Sequence, residues 1–288
     1  MGSIRTQATN EGGTSDVPPS SSPSPYTFEV DALSDAGTER GVNEDHCATL
    51  VLSATSAILV VADGVSGYEG GDTASRTAVT ALLKSFQEQS ATVPTAKKLY
   101  RAAQQANIAV YDLATVVPEL RGMATTLTAL VLERDELSIV HVGDSRLYSI
   151  RSGGITQLTK DHTVPAERAR LGLLSKERVR THKDRSTLTR SLGRELIAQV
   201  DRISTRVEQG DMLLACSDGL YNVLDEEQIA ETVRGRAPSA ACRALVDRAN
   251  ERGTPDNLTA AVLRITGPTP PPPRQSFFAA ALRRFSRG

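Results

Sequence analysis

The chain has 288 residues, 39% hydrophobic and 23% charged, with a formal net charge of −1 and an isoelectric point near 6.5. That balance belongs to an ordinary soluble globular protein and excludes a global field that would recruit nucleic acid or an anionic membrane. No run of about twenty apolar residues occurs, and the opening MGSIRTQATNEGG lacks the apolar core of a secretory signal, so a cytoplasmic protein is expected.

Residues 1–25 are rich in Ser, Pro, Gly and Thr, the composition of a disordered tail. One compact unit is expected over 26–267. It opens with strand patterns at 26–32, 47–52 and 57–62. Two long helical patterns follow. Residues 71–89 place Ala74, Ala78, Ala81, Leu82 and Phe86 on one face. Residues 95–115 do the same with Leu99, Ala102, Ala106, Val110 and Leu113, with Thr95 as N-cap. Strands at 125–133, 136–142 and 146–151 are joined by turn residues such as Arg134-Asp135. Residues 161–193 are polar and weakly periodic, broken by Pro165 and Gly172, as in a functional or mobile insertion. Strands at 200–207 and 211–216, helices at 225–234 and 239–252, and a strand at 259–265 complete the unit. Beyond it, residues 268–288 carry a proline run and FFAAALRRFSRG. That tail reads equally as a disordered basic segment or as a short amphipathic helix making weak contact with a membrane or partner.

Short, closely spaced strands argue for antiparallel pairing. Strands in runs with helices in pairs argue for an α+β fold, a sheet sandwich with helices on its outer faces. Cys47, Cys216 and Cys242 are odd in number, lack metal-ligand spacing and sit in or beside apolar stretches, so buried free thiols are expected.

The chemistry is carried by acidic residues at strand ends. The apolar run 57–62 stops at Asp63-Gly64. Other strands end at Gly143-Asp144 and Asp218-Gly219, Asp256-Asn257 precedes a strand, and so do Glu44 and Asp45. Each alone reads best as a turn. Together, five acidic clusters converging on one rim of a sandwich make a strong field for Mg²⁺ or Mn²⁺, hard ions that take oxygen ligands and keep waters. Gly64 would let its carbonyl approach a metal without side-chain obstruction. Arg40, in a loop just before Glu44, suits a bidentate grip on phosphate.

In chain order the segments SDAGTERGVNED, VVADGVSG, GMATTLTALVL, VHVGDSRLY, LTKDHTVPAERARLG, HKDRSTLTRSLG, LLACSDGLYNVLDEEQI and PDNLTAAVL resemble the bacterial form of the metal-dependent protein phosphatase 2C family. The resemblance implies a four-layer α-β-β-α sandwich, two antiparallel sheets flanked by helices, with the metal site at one end. It implies hydrolysis of phosphoserine and phosphothreonine by a metal-activated water, with two Mn²⁺ or Mg²⁺ ions and a weaker third.

By that resemblance Asp63 bridges the core pair, the Gly64 carbonyl joins one ion, and Asp218 and Asp256 complete the set. Glu44 and Asp45 lie in its outer shell, Asp144 holds the third ion and Arg40 binds phosphate. Ser145 and Asn257 accompany ligands in their motifs. Residues 161–193 resemble the family's flap beside the active site; Arg168, Arg170, Arg178, Arg180 and Arg185 make it basic, as suits guidance of acidic phosphopeptides, with Arg168 and Arg170 the pair whose charge reversal tests this. His162 and His182 could touch substrate there, although solvation is the favoured reading, and His141 is structural.

The chain departs from the family pattern at three points. Val65 stands where some members carry a proton-donating histidine, Ser66-Gly67 replaces Gly-Gly, and Asn222 replaces an aspartate, which would weaken the third site.

A monomeric phosphatase acting on phosphorylated proteins and opposing a Ser/Thr kinase is the leading reading. A partner-switching phosphatase is less supported without a sensor domain. A pseudophosphatase is disfavoured because Arg40, Asp63, Asp218 and Asp256 are all present, and no basic stripe supports a nucleic-acid partner.

Overall fold

The computed structural model describes residues 26–65, 70–152 and 154–268. The expectations for the tails, including membrane or partner contact, and for Ser66-Gly67 lie outside the described residues. In chain order the elements are β1 (Tyr26–Asp35), β2 (Asp45–Ser53), β3 (Ser56–Asp63), α1 (Gly71–Glu88), α2 (Thr95–Val116), β4 (Leu127–Glu133), β5 (Glu136–Val142) and β6 (Arg146–Arg151). Then come β7 (Gly154–Gln157), α3 (Val164–Arg170), α4 (Lys176–Val179), β8 (Asp201–Arg206), β9 (Met212–Cys216), α5 (Asp218–Tyr221), α6 (Glu226–Val233), α7 (Pro238–Glu251) and β10 (Leu258–Pro268).

Two five-stranded antiparallel sheets form, in the orders β1-β10-β9-β6-β7 and β2-β3-β4-β5-β8. The apolar run in β3 shows why they stack. Ala57, Leu59 and Val61 face the other sheet, packing in one cluster with Leu147, Leu213, Ala215 and Leu263. Ile58, Val60 and Ala62 lie under α1 and α2 with Leu82, Leu99 and Ala106. A strand covered on both faces loses its alternation and reads as continuous apolar sequence. The outer face of the first sheet is closed by α6 and α7, where Ile229 and Leu245 meet Tyr148, Leu214 and Val262. Each such Leu, Ile or Val contributes about 1.5–3 kcal/mol by leaving water. The result is the expected four-layer sandwich. Among the described residues no helix is long and apolar enough to cross a membrane.

Register gathers the acidic strand ends. Asp45 stands opposite Asp63 in the β2–β3 ladder. Strand β9 runs antiparallel to both its neighbours, with Cys216 opposite Arg146 on β6 and Ala260 on β10. The end of β9 therefore lies beside the starts of β6 and β10. Asp218, Asp144 and Asp256 follow at that edge.

Some local expectations differ. Pro94, not Thr95, occupies the cap position of α2, and the Thr95 hydroxyl instead donates to Glu133 at the end of β4. The strand β7 and the helices α3, α4 and α5 are too short to show a period. Cys216 and Cys242 are buried, but Cys47 is only half-buried because β2 is an edge strand.

Candidate metal centre and active site

Asp63 is the last residue of β3, and its backbone is clamped by a threonine pair. Its N–H donates to Thr126 Oγ1 at 2.9 Å. Its carbonyl accepts from Thr125 Oγ1 at 2.9 Å and from the Thr126 N–H at 2.8 Å. Gly64 N–H donates to the Glu44 carbonyl at 3.1 Å. A side chain at Gly64 would collide with the Gly71 and Glu44 carbonyls. The turn thus needs glycine for close packing, a demand separate from any metal approach.

Asp45 ties the two sheets together. Its Oδ2 accepts from Ser217 Oγ at 2.6 Å, just past the end of β9, and from Thr259 Oγ1 at 2.7 Å, near the start of β10, both in the opposite sheet. Its Oδ1 is buried without a partner. The Glu44 carboxylate lies against Gly71 at the first turn of α1. Asn257 organises the loop bearing Arg40 and Glu44: Oδ1 accepts from Glu44 N–H, and Nδ2 donates to the Ala36 and Val42 carbonyls, all at 2.9 Å. Asp218 opens α5 and accepts from Asn222 Nδ2 at 3.1 Å. Asp256 accepts from Arg40 at 3.1 Å. Asp144 sits in the β5–β6 turn, its carbonyl taken by Tyr221 OH at 3.0 Å, and Ser145 Oγ is 2.7 Å from Thr126 Oγ1.

Without a cation these carboxylates oppose one another. Burial, then the charges of Asp45, Asp218, Asp144 and Asp256, push Asp63 well above the usual carboxylate range. Burial, with Asp218 and Asp161 adding, does the same to Asp144. Asp218 rises to about 7 through burial and then Asp256 and Asp45, and burial raises Asp45 to about 6.

Among the described residues no three His, Cys, Asp or Glu side chains close into a ready-made cage. The donor set still fits divalent ions. It is all oxygen, it holds an unpartnered buried Asp45 Oδ1, and its repulsion is of the kind a cation relieves. Mg²⁺ and Mn²⁺ suit it, because they keep several waters and need few carboxylates each.

A cavity of about 520 Å³ opens beside Asp144 and Asp218. Arg146 and Tyr221 line it, the guanidinium 3.7 Å over the ring and forked onto Asp161 at 2.7–3.1 Å. Asp225, Glu226 and Glu227 line it from the start of α6, and Arg180, Arg185 and Ser186 from the flap. Arg180 also donates to the Tyr221 carbonyl at 3.3 Å.

The other flap residues lie on different walls. Arg170 pairs with Glu167 at 2.5 Å and lines two further cavities, one of about 280 Å³ with Arg190 and Arg194 and one of about 730 Å³ that shares Arg146, Asp161 and Val179 with the cavity beside Asp144. Arg168 is exposed on α3 and lines none of the cavities described. His162 is not solvated: it is 2% exposed and its ring centroid lies 4.9 Å from that of His141. His182 is half-buried, its Nδ1 accepting from the Asp184 N–H at 3.1 Å. Sequence reasoning passed over Thr125, Thr126, Ser217, Thr259 and Tyr221. The hydroxyls flanking each acidic strand end were the available signal.

The protein phosphatase 2C family model matches residues 38–261. The Serine/threonine phosphatase stp of Listeria monocytogenes is 34% identical over 230 residues, covering 78% of this chain and 91% of the relative. The Mycobacterium tuberculosis serine/threonine phosphatase PstP/Ppp superposes with a TM-score of 0.76 at 31% identity, over 84% of this chain and 100% of that one. The catalytic domain of PstP solved with two manganese ions gives 0.73 at 30% identity, over 84% and 100%. Ordered motifs, four layers and the acidic rim thus agree with these likenesses, and the chain belongs to the protein phosphatase 2C family as a bacterial-type Ser/Thr phosphatase.

Proposed function

We propose that Asp63, Asp218 and Asp256, with the Gly64 carbonyl, hold the two core Mn²⁺ or Mg²⁺ ions, and that Asp144 holds a weaker third. The observation that carries this reading is the mutual repulsion of buried carboxylates from both sheets around Asp63. Ions held there would offset the charge of a phosphoserine or phosphothreonine dianion and would lower the pKa of a bound water, making hydroxide available as the nucleophile near neutral pH. Asp63 needs no reorganisation, since Thr125 and Thr126 fix its peptide. Arg40 turns from Asp256 to the non-bridging phosphate oxygens, where a planar guanidinium grips two at once. Asp45 holds the two sheets together through Ser217 and Thr259. Val65 offers no proton to the leaving oxygen, and a water held at the metal centre would be the simplest donor in its place.

The substrates are phosphorylated proteins, with a Ser/Thr kinase as the opposing enzyme, and the phosphatase acts as a monomer in the cytoplasm. The test is hydrolysis of p-nitrophenyl phosphate and a phosphothreonine peptide with Mn²⁺, Mg²⁺ or EDTA, in wild type and Asp63→Asn. Turnover is expected only with divalent metal and only with Asp63 intact. Activity persisting in EDTA or in the variant overturns the mechanism.

A further inference from the structure

We infer that His162 is a positioning residue for Asp144, setting the backbone of the turn that carries this carboxylate. The inference rests on the reading of Asp144 as the ligand of a third ion.

The turn Gly143–Asp144–Ser145 lies between β5 and β6, where ladder bonding stops. Gly143 has φ +104°, and a Cβ there would stand 2.6 Å from Thr126 Cβ, so only glycine makes the turn. A glycine hinge has no intrinsic preference for this conformation. Something else must hold it. The carbonyl of Asp144 is taken by Tyr221 OH. Gly143 itself is held by one residue on both sides of its Cα. Its N–H donates to His162 Nδ1 at 3.1 Å, and its carbonyl accepts the His162 N–H at 2.8 Å. These two bonds grip the two successive peptides whose relative rotation is the φ and ψ of Gly143.

The ring is fixed as firmly as the turn. A backbone N–H can only donate, so Nδ1 is the accepting nitrogen and Nε2 carries the proton. Nε2 donates to Asp201 Oδ2 at 3.3 Å; Arg190 Nη1 bonds the other oxygen of that carboxylate at 2.9 Å and also lies 3.2 Å from Nε2, where two N–H groups face each other and no hydrogen bond forms. The His162 carbonyl accepts from the Thr189 N–H at 2.8 Å. Next to it, His141 Nε2 donates to the Lys160 carbonyl at 3.0 Å, pinning the chain two residues before His162. The start and end of the flap thus meet at one imidazole, which grips the turn that presents Asp144.

The two ring nitrogens make the role separable. Asn at 162 places an acceptor oxygen near the Nδ1 position, whereas Gln places its amide near Nε2 and leaves the Gly143 N–H without a partner. Mn²⁺ titration by calorimetry on the full chain, with thermal midpoints, reads the effect without turnover. The variants are His162→Asn, His162→Gln, Asp144→Asn and the double His162→Gln/Asp144→Asn. In His162→Gln the weakest Mn²⁺ event weakens by about tenfold or more, the scale on which outer-shell partners act. The tighter events keep their affinity. His162→Asn stays near wild type, and the double variant matches Asp144→Asn.

Wild-type titration of His162→Gln overturns the proposal, and so does an equal loss at every site alongside a lowered midpoint. If Asp144→Asn loses no Mn²⁺ event, the reading of Asp144 falls instead, and the inference with it.

Discussion

The guanidinium of Arg40 donates to the carboxylate of Asp256 at 3.1 Å, pairing the proposed phosphate-binding residue with a proposed metal ligand. The side chains are 38% and 33% exposed, so water screens the pair and it is worth only about 0–1 kcal/mol. A cation at Asp256 displaces the arginine at little cost and frees it for substrate. Arg40→Ala should therefore lower kcat/KM for a phosphothreonine peptide about 10–100-fold, the worth of one or two charge-assisted hydrogen bonds. Calorimetric Mn²⁺ affinity should not fall. Weaker Mn²⁺ binding in that variant would place Arg40 in the construction of the metal site.

The acidic rim makes metal binding and stability one property. Burial and neighbouring carboxylates push Asp218 up to about 7 and Asp45 up to about 6 in the folded chain without cations, against an ordinary value of 3.8, and raise Asp63 and Asp144 well above that ordinary value. Between the unfolded and folded values the native state binds more protons than the unfolded one. The stability these groups contribute is complete below the unfolded value and is lost as pH rises through the folded values. Burial lowers His141 to about 4 and also lowers His46 and His162, which oppose this trend near pH 6.5, where unfolded imidazoles are half charged, but are mostly neutral in both states above about pH 7.5. In EDTA the thermal midpoint should fall from about pH 7.5 to about pH 8.5, and Mn²⁺ should raise it most at the alkaline end. A midpoint in EDTA that climbs with pH would contradict the repulsion described. Asp63→Asn should raise the EDTA midpoint by a few degrees at about pH 8, since it deletes the most opposed charge.

The layered fold and the acidic rim were legible because they rest on local signals. The run 57–62 announced a strand buried on both faces, and Asp63, Asp144, Asp218 and Asp256 each stood where an element begins or ends. What escaped depends on contacts between distant segments. Thr126 reads as one more residue of an apolar strand until its hydroxyl is seen under the Asp63 N–H. His162 reads as solvated because the flap lacks a period, and its burial comes from Gly143, His141 and Asp201 on other elements. Arg168 and Arg170 matched a basic-flap reading by charge alone. Which arginine faces the cavity is decided by where α3 and α4 pack, and no spacing encodes that.

Of the flap arginines, Arg180 and Arg185 should carry the main substrate contact. They line the cavity beside Asp144 and Asp218, while Arg170 pairs with Glu167 and lines an adjoining cavity. Reversing the charge at Arg185 should raise KM for an acidic phosphopeptide several-fold and leave p-nitrophenyl phosphate turnover near wild type, because the small ester does not reach the flap. Arg168→Glu/Arg170→Glu should leave both substrates close to wild type. Equal effects of the two variants on the peptide would mean that the flap acts by net charge and not through the cavity wall.

Asn222 tests how much the third ion matters to this chain. Its Nδ2 donates to Asp218 Oδ2 at 3.1 Å, so the amide already satisfies one ligand oxygen, and its own carbonyl oxygen is a weaker donor to a hard cation than a carboxylate. Asn222→Asp removes that hydrogen bond and adds a negative charge beside Asp218, whose pKa the amide at present helps to hold down. In EDTA the variant should melt slightly lower, by about 0.5–1 kcal/mol, for a lost hydrogen bond and a like charge that solvent screens at an exposed position. With Mn²⁺ the sign should reverse: the added carboxylate strengthens the weakest site and lowers the Mn²⁺ concentration needed for half-maximal activity. Unchanged Mn²⁺ dependence would show that position 222 does not face that ion, leaving Asn222 as a hydrogen-bond donor to Asp218 alone.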